Sequence, residues 1–142
     1  MVFRSSDKQY TNMGFRYDDD GGVFVQAVAH GAITAGSMYL VIPYSYGLKT
    51  KAVASGTTLC MAGFAEKTVA TGEIASIQVG GAIDDATTSA LTVSVDQHYG
   101  LTSGTFASIG SFTTAVFAVG QTAATSATEN DFVLIPRWIT PT

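Results

Sequence analysis

Residues 23–43 of the 142-residue chain read VFVQAVAHGAITAGSMYLVIP and show its structural pattern clearly. An apolar run at 23–29 is followed by a segment with two glycines and then by a second apolar run at 37–43. Val, Ile, Phe and Tyr are favoured in strands, and short runs of them bounded by turn residues indicate β-structure. The stretch therefore predicts two strands joined by a turn.

The same pattern continues to the end of the chain, with strand-like runs recurring about every 8 to 12 residues, as in sandwiches and barrels. The predicted strands are 23–29, 37–43, 50–54, 58–65, 73–79, 91–95, 106–109, 115–119 and 131–137. One alternative is a short helix within 84–95 capped by Asp85, but the Thr and Val residues there are poor helix formers. We expect an all-β fold, either a small barrel or a sandwich, with no more than about one helical turn.

A loose internal repeat is visible at a spacing of about 57 residues. Residues 61–65 are echoed by 118–122, residues 74–79 by 132–136, and Tyr39 by Tyr99. Repeated patterns of this kind indicate repeated structural units. Two such halves closing on each other would form a barrel without exposed strand edges.

The first 22 residues differ from the rest, because they hold 7 of the 18 charged residues together with scattered aromatic residues. They end in Asp20-Gly21-Gly22, a strong turn signal. We therefore divide the chain into an N-terminal arm, 1–22, and a single β-barrel-like domain, 23–142. Aromatic and Arg side chains dominate interface hot spots, so the predicted partner-binding residues of the arm are Phe3, Tyr10, Phe15, Arg16 and Tyr17.

Composition limits the classes of partner. A net charge of −4 argues against direct binding of nucleic acid, which requires clustered Lys and Arg. No apolar run reaches the roughly 18 residues of a membrane-spanning helix, so we expect no membrane partner. Charged residues make up only 13% of the chain, against about 25% in ordinary domains, and this deficit is typical of surfaces covered by a partner.

No motif predicts catalysis, a cofactor or a metal. His30 and His98 lie outside recognisable catalytic patterns, and Cys60 sits in an apolar run typical of core packing. Residues 18–21 read DDDG, which favours a solvated turn or hinge over a calcium loop because the later acidic ligand is missing. Asp84 and Asp85 favour a loop over a paired-carboxylate site. We therefore expect a protein that is not an enzyme.

Several segments occur in an order that resembles one class of structural protein. These segments are 32–36 (AITAG), 63–65 (GFA), 71–79 (TGEIASIQV), 119–123 (VGQTA) and 132–136 (FVLIP). They resemble the capsid decoration proteins of tailed double-stranded-DNA phages, also called head-stabilising or cement proteins, of the small β-barrel or β-tulip kind. The arm before Gly22 lies outside the matched segments.

This resemblance implies a virion protein on the outer capsid surface that binds the major capsid protein, stabilises the head and forms a homo-oligomer, with a trimer favoured. Three alternatives stay open: a phage tail or fibre protein, another surface structural or adhesion protein, and a carbohydrate-binding module. Trp138, near the C-terminus, is expected either to pack under the barrel or to lie at a subunit contact.

Overall fold

The computed structural model describes residues 15–44, 47–52 and 59–142, and all regular structure in these ranges is β-structure. The strands are β1 (Phe15–Tyr17), β2 (Val23–Ala29), β3 (Met38–Tyr44), β4 (Gly47–Ala52), β5 (Met61–Ala65), β6 (Ile74–Val93), β7 (His98–Thr102), β8 (Thr105–Ile109), β9 (Val116–Gly120) and β10 (Ala124–Leu134). The predicted all-β class is confirmed.

The structure corrects the prediction between residues 80 and 102. The helix considered within 84–95 and the loop expected at Asp84 and Asp85 are both wrong, because this segment continues strand β6. Its Thr-rich sequence favours a strand, and pairing with β10 provides hydrogen-bond partners for its backbone. Strand β7, absent from the predicted set, was concealed by Gly100, which interrupts its apolar pattern.

The first half of the chain forms a closed barrel of five strands. The pairings run from β2 to β4, β3, β5 and the first part of β6, which pairs again with β2. Every pairing is antiparallel except β2 with β4. A barrel is therefore present, but one half alone closes it, so the expectation that two halves close on each other is wrong.

The second half repeats these pairings as an open sheet. The second part of β6 pairs with β10, and the order continues through β9 and β7 to β8 at the edge. The two halves thus match strand by strand. The second part of β6 corresponds to β2, β7 to β3, β8 to β4, β9 to β5, and β10 to the first part of β6. The pairing that closes the first barrel, between β2 and β4, has no counterpart between β6 and β8 among the strand pairings of the described residues.

Equivalent hydrogen bonds in the two halves confirm the repeat and correct its register. The Thr34 amide donates to the Tyr39 hydroxyl at 2.8 Å, and the Ser94 amide donates to the Tyr99 hydroxyl at 2.9 Å. Two further bonds match, one from Gly36 N to Ala65 O and one from Asp96 N to Gly120 O. The offset between equivalent residues is therefore 60 between β3 and β7, but 55 between the ends of β5 and β9. The predicted single spacing of about 57 residues thus aligned β5 with β9 two residues out of register.

Two apolar clusters stabilise this arrangement. One fills the barrel and includes Val25, Val41 and Ile77, with Trp138 packed against it, which agrees with the first of the two positions expected for that residue. The other lies where the outward side chains of β3 and β5 meet the second half, and it contains Cys60, as the apolar run around it predicted. The second sheet therefore buries its inner face against the outside of the first barrel.

Gly81 marks the point where β6 leaves the barrel and enters the second sheet. Its φ of +82° lies in the left-handed region, and a Cβ built on it would stand 2.4 Å from the Gly21 carbonyl oxygen. Only glycine avoids both the steric penalty and this clash. The turn before β2 and the junction of the halves are therefore packed backbone to backbone.

Candidate partner-binding surface at strand β1

Strand β1 holds three of the five predicted binding residues. It pairs antiparallel with β2, and Phe15, Arg16 and Tyr17 lie opposite Val25, Phe24 and Val23. Successive side chains of a strand point to opposite faces, so the two aromatic residues share one face and Arg16 occupies the other. Residues 3 and 10 lie outside the described residues, so the structure does not test Phe3 and Tyr10.

Arg16 is engaged within the chain by three contacts. Its guanidinium carbon lies 4.1 Å from the centroid of the Phe24 ring, directly across the strand pair. Its NH2 group donates to Glu66 Oε2 at 2.7 Å, and its Nε donates to Asp18 Oδ1 at 3.1 Å. Since Glu66 belongs to the segment after β5, these contacts fasten β1 to the body of the barrel.

The hydrogen bond that Arg16 donates to Glu66 is the main cause that raises the pKa of Arg16 above its usual value, with smaller contributions from the charges of Glu66 and Asp18. Arginine is already cationic throughout the physiological range. Arg16 therefore keeps its positive charge in its contacts with Glu66, Asp18 and Phe24, which we call the Arg16 clamp. Arg16 acts on this surface as the residue that positions β1.

Tyr17 and Phe15 form the exposed part of the surface. Tyr17 exposes 74% of its area and Phe15 exposes 36%, although both are large side chains. The backbone beneath them is held by β2 and by the Arg16 clamp. An aromatic side chain on a fixed strand loses little conformational entropy when it enters a partner's pocket, which is the property of a binding anchor.

The acidic segment after β1 is a hydrogen-bonded turn, as predicted. Asp18 N donates to Gly22 O at 2.8 Å, Gly21 N donates to Asp18 O at 3.0 Å, and Asp20 Oδ1 accepts from Gly22 N at 3.3 Å. The turn reverses the chain from β1 into β2. Across the described ranges, no group of three or more His, Cys, Asp and Glu side chains is placed to hold a metal ion.

The remaining residues weighed for chemistry lie apart from this surface. His30 is exposed just after β2, whereas His98 begins β7 and packs its ring against Phe112, so the two imidazoles belong to different halves. Asp84 and Asp85 are exposed on β6, and the Asp85 amide donates to Asp131 Oδ1 at 2.9 Å. This bond supports an irregular stretch of the β6–β10 pairing.

A cavity of about 260 Å³ lies between β6 and β8, where the second half stays open. Phe64, Phe106 and Met38 line it together with the hydroxyl side chains of Thr87 and Thr88. Small-molecule sites usually occupy about 300 to 1,000 Å³, so this cavity lies just below the lower end of that range. The exposed aromatic surface at β1 is therefore the stronger candidate for a functional site.

Comparison with known proteins bears on the fold. No protein-family model matches the chain, and no curated protein matches it. Among solved structures, it is similar to the N base of head fiber gp8.5 of bacteriophage phi29, with a TM-score of 0.54 and 16% sequence identity. The match covers 80% of this chain and 93% of the phi29 chain. The two chains share a fold.

The sequence resemblance was to capsid decoration proteins, whereas the structural similarity is to a head fiber base. At 16% identity the similarity concerns the fold and carries no residue roles across. The described residues also contain no helix that is long and apolar enough to cross a membrane.

Sequence reasoning missed Glu66, which shapes the β1 surface, and Phe112, which is exposed on the second half. Glu66, which holds Arg16, is 50 positions away in the chain, and no local pattern connects the two. Phe112 exposes 57% of its area in the segment between β8 and β9. An isolated aromatic residue between Ser111 and two threonines was the available signal for it.

Proposed function

We propose that this chain is a structural protein of a phage head that binds the outer surface of the capsid and has no enzymatic role. The observation that carries the proposal is the fold shared with the phi29 head fiber base over 93% of that chain. A shared fold alone does not determine function. The exposed aromatic surface and the low charge of the chain supply independent support, because both are typical of a binding protein.

The proposed partner is the major capsid protein, contacted through the N-terminal arm. Tyr17 and Phe15 act as anchors, Arg16 holds their strand in place, and Phe3 and Tyr10 extend the contact. A specific interface needs about 1,000 Å² of buried surface in total, which an arm of about 20 residues can supply. On this view the binding energy across capsomer boundaries stabilises the head.

We propose a homo-oligomer, with a trimer as the favoured state, that sits on the outer capsid surface. A trimer presents three arms at once, so each additional arm binds at a high effective concentration. Weak individual contacts then combine into stable attachment. No cofactor, nucleic acid or membrane takes part in this function.

A second candidate is the capsid-attached base of a fiber, which the structural similarity to the phi29 head fiber base favours over a free-standing cement protein. Both functions use the same capsid contact and differ in what lies on the far side of the protein. A cement protein ends at the capsid surface, whereas a fiber base carries a further projecting part.

The test is cryo-electron microscopy of undecorated heads of the source phage mixed with purified protein. Full-length protein is expected to give density on the outer shell, and deletion of residues 1–22 is expected to remove it. Tyr17→Ser should reduce occupancy, whereas Leu59→Ser, which alters a side chain 54% exposed elsewhere, should not.

Absence of shell density with the full-length chain would overturn the proposal. Density that survives deletion of the arm would retain a head-binding function and reject the arm as its cause. A projecting fiber on the particle would favour the fiber base over the cement protein. Binding to a glycan array without binding to heads would favour the carbohydrate-binding alternative.

A further inference from the structure

The outer face of the second sheet carries a row of side chains that are partly or largely exposed. His98 lies opposite Val119, and Val119 lies opposite Val133, so the three side chains point to the same side of adjacent strands. Val133 exposes 41% of its area. We call the surface formed by Phe112, His98, Val119, Val133 and Arg137 the Phe112 face.

Phe112 is fixed between two neighbours although it is largely exposed. Its ring meets the His98 ring edge to face, with centroids 5.5 Å apart and an interplanar angle of 72°. The Arg137 guanidinium carbon lies 4.7 Å from the Phe112 ring centroid. An aromatic ring held in this way is preorganised for contact with a partner, because little side-chain entropy remains to be lost.

Arg137 differs from Arg16 in having no acidic partner among the residues that the structure describes. Its NH1 group makes long hydrogen bonds to the backbone oxygens of Thr113, at 3.3 Å, and Val116, at 3.4 Å. The only salt bridges within the described residues are those of Arg16 with Asp18 and Glu66. In a chain with a net charge of −4, this arginine presents an uncompensated positive charge beside an exposed aromatic ring.

The internal repeat shows what the corresponding surface does in the first half. Met38, Phe64 and Gln78 form the same cross-strand row there, in the same pairing pattern. Phe64 in that row is fully buried by the second half, and Met38 packs against the same cluster. The fold therefore uses this row as a packing surface once, and the second copy of the row is left partly exposed by the residues that the structure describes.

We propose that the Phe112 face binds an acidic, extended segment of a protein partner. A carboxylate of that segment pairs with Arg137, whose planar guanidinium suits carboxylates, and an apolar side chain next to it covers Phe112 and Val133. Charge complementarity selects an acidic occupant. This inference is independent of capsid binding through β1, because the two surfaces share no residue.

The test uses the full chain labelled with ¹⁵N and two synthetic probe peptides, Glu-Leu-Glu-Leu-Glu-Leu and its Lys-Leu counterpart. The acidic peptide is expected to shift the amide resonances around Phe112, His98 and Val133, whereas the basic peptide should leave them unchanged. Phe112→Ser and Arg137→Gln should each lower the affinity for the acidic peptide by about fivefold or more, which is the effect of truncating an interface anchor.

Two substitutions serve as controls: Lys67→Gln removes a positive charge on the other half, and Leu59→Ser removes an exposed apolar side chain of similar exposure. Neither is expected to change the affinity. Equal binding of the basic peptide, or shifts that map away from the Phe112 face, would overturn the proposal. Concentration-dependent self-association abolished by Phe112→Ser would also overturn it, because the occupant would then be a second copy.

Discussion

Replacement of Phe64 by alanine tests whether the two halves form one cooperative unit. Phe64 is fully buried, and its ring centroid lies 5.9 Å from that of Phe106, 6.4 Å from that of Phe132 and 6.5 Å from that of Phe117. It belongs to the first barrel, whereas its three aromatic neighbours belong to the second half. The substitution therefore opens a cavity at the junction rather than inside one half.

A buried Phe→Ala change costs about 3 to 5 kcal/mol through lost transfer energy and the cavity left behind. The unfolding entropy of roughly 2.1 cal/mol/K per residue then predicts, for 142 residues, a decrease in Tm of about 10 to 17 °C. Urea denaturation followed by tryptophan fluorescence and by circular dichroism measures the change in the free energy of unfolding. Trp138 packs on the first barrel, whereas circular dichroism reports both halves.

Both probes should give one coincident transition at a lower midpoint. Phe112→Ala is the matched control, because the same atoms are removed from a ring that is 57% exposed, and its cost should stay below about 1 kcal/mol. A cost for Phe64→Ala no larger than that of the control would refute the placement of Phe64 at the centre of the junction.

Three further substitutions test the junction, the repeat and the clamp. Gly81→Ala should destabilise the chain by at least about 2 kcal/mol in urea denaturation, because its φ is positive and its Cβ would meet the Gly21 carbonyl. Tyr99→Phe should cost about 1 to 3 kcal/mol in the same assay, because a backbone amide loses the hydroxyl that accepts its hydrogen bond. Glu66→Gln should accelerate hydrogen exchange in β1 while changing global stability by less than about 1 kcal/mol, since the ion pair is partly exposed.

Each of these changes has a matched control in the chain. Gly110→Ala places a methyl group where no atom lies within 4 Å, so it should be nearly neutral. Tyr39→Phe removes the equivalent hydroxyl in the first half, and a cost very different from that of Tyr99→Phe would contradict the equivalence of the two bonds. Glu129→Gln, an exposed acid on β10, should leave exchange in β1 unchanged.

The strands that local pattern predicted well are those with unbroken runs of branched and aromatic residues. Strand β2 was predicted with its observed ends, 23–29, and β8 and β9 within one residue at each end. The first part of β10, residues 124–130, was missed because its Thr, Ser, Asn and Glu residues indicate a loop. Pairing with β6 makes that segment a strand, and such pairing is a tertiary property.

For the β1 surface, composition and the positions of aromatic residues led to the prediction that Phe15, Arg16 and Tyr17 bind a partner, and their binding role stays a prediction. Whether each of these side chains is held within the chain or exposed depends on contacts with residues that are remote in sequence. Glu66 lies 50 residues from Arg16, so only the folded barrel distinguishes a clamped arginine from an exposed tyrosine.

Residue chemistry alone specified an all-β, weakly charged chain with a repeated pattern, because backbone preference and hydropathy act over a few neighbouring residues. Tertiary structure decided that the first half closes into a barrel while the second stays open, and that Phe64 in one row is fully buried while Val119, its counterpart, is partly exposed. These outcomes depend on the relative positions of distant strands. Burial is a property of the assembled sheets, and two equivalent rows acquire different environments only after the halves have packed together.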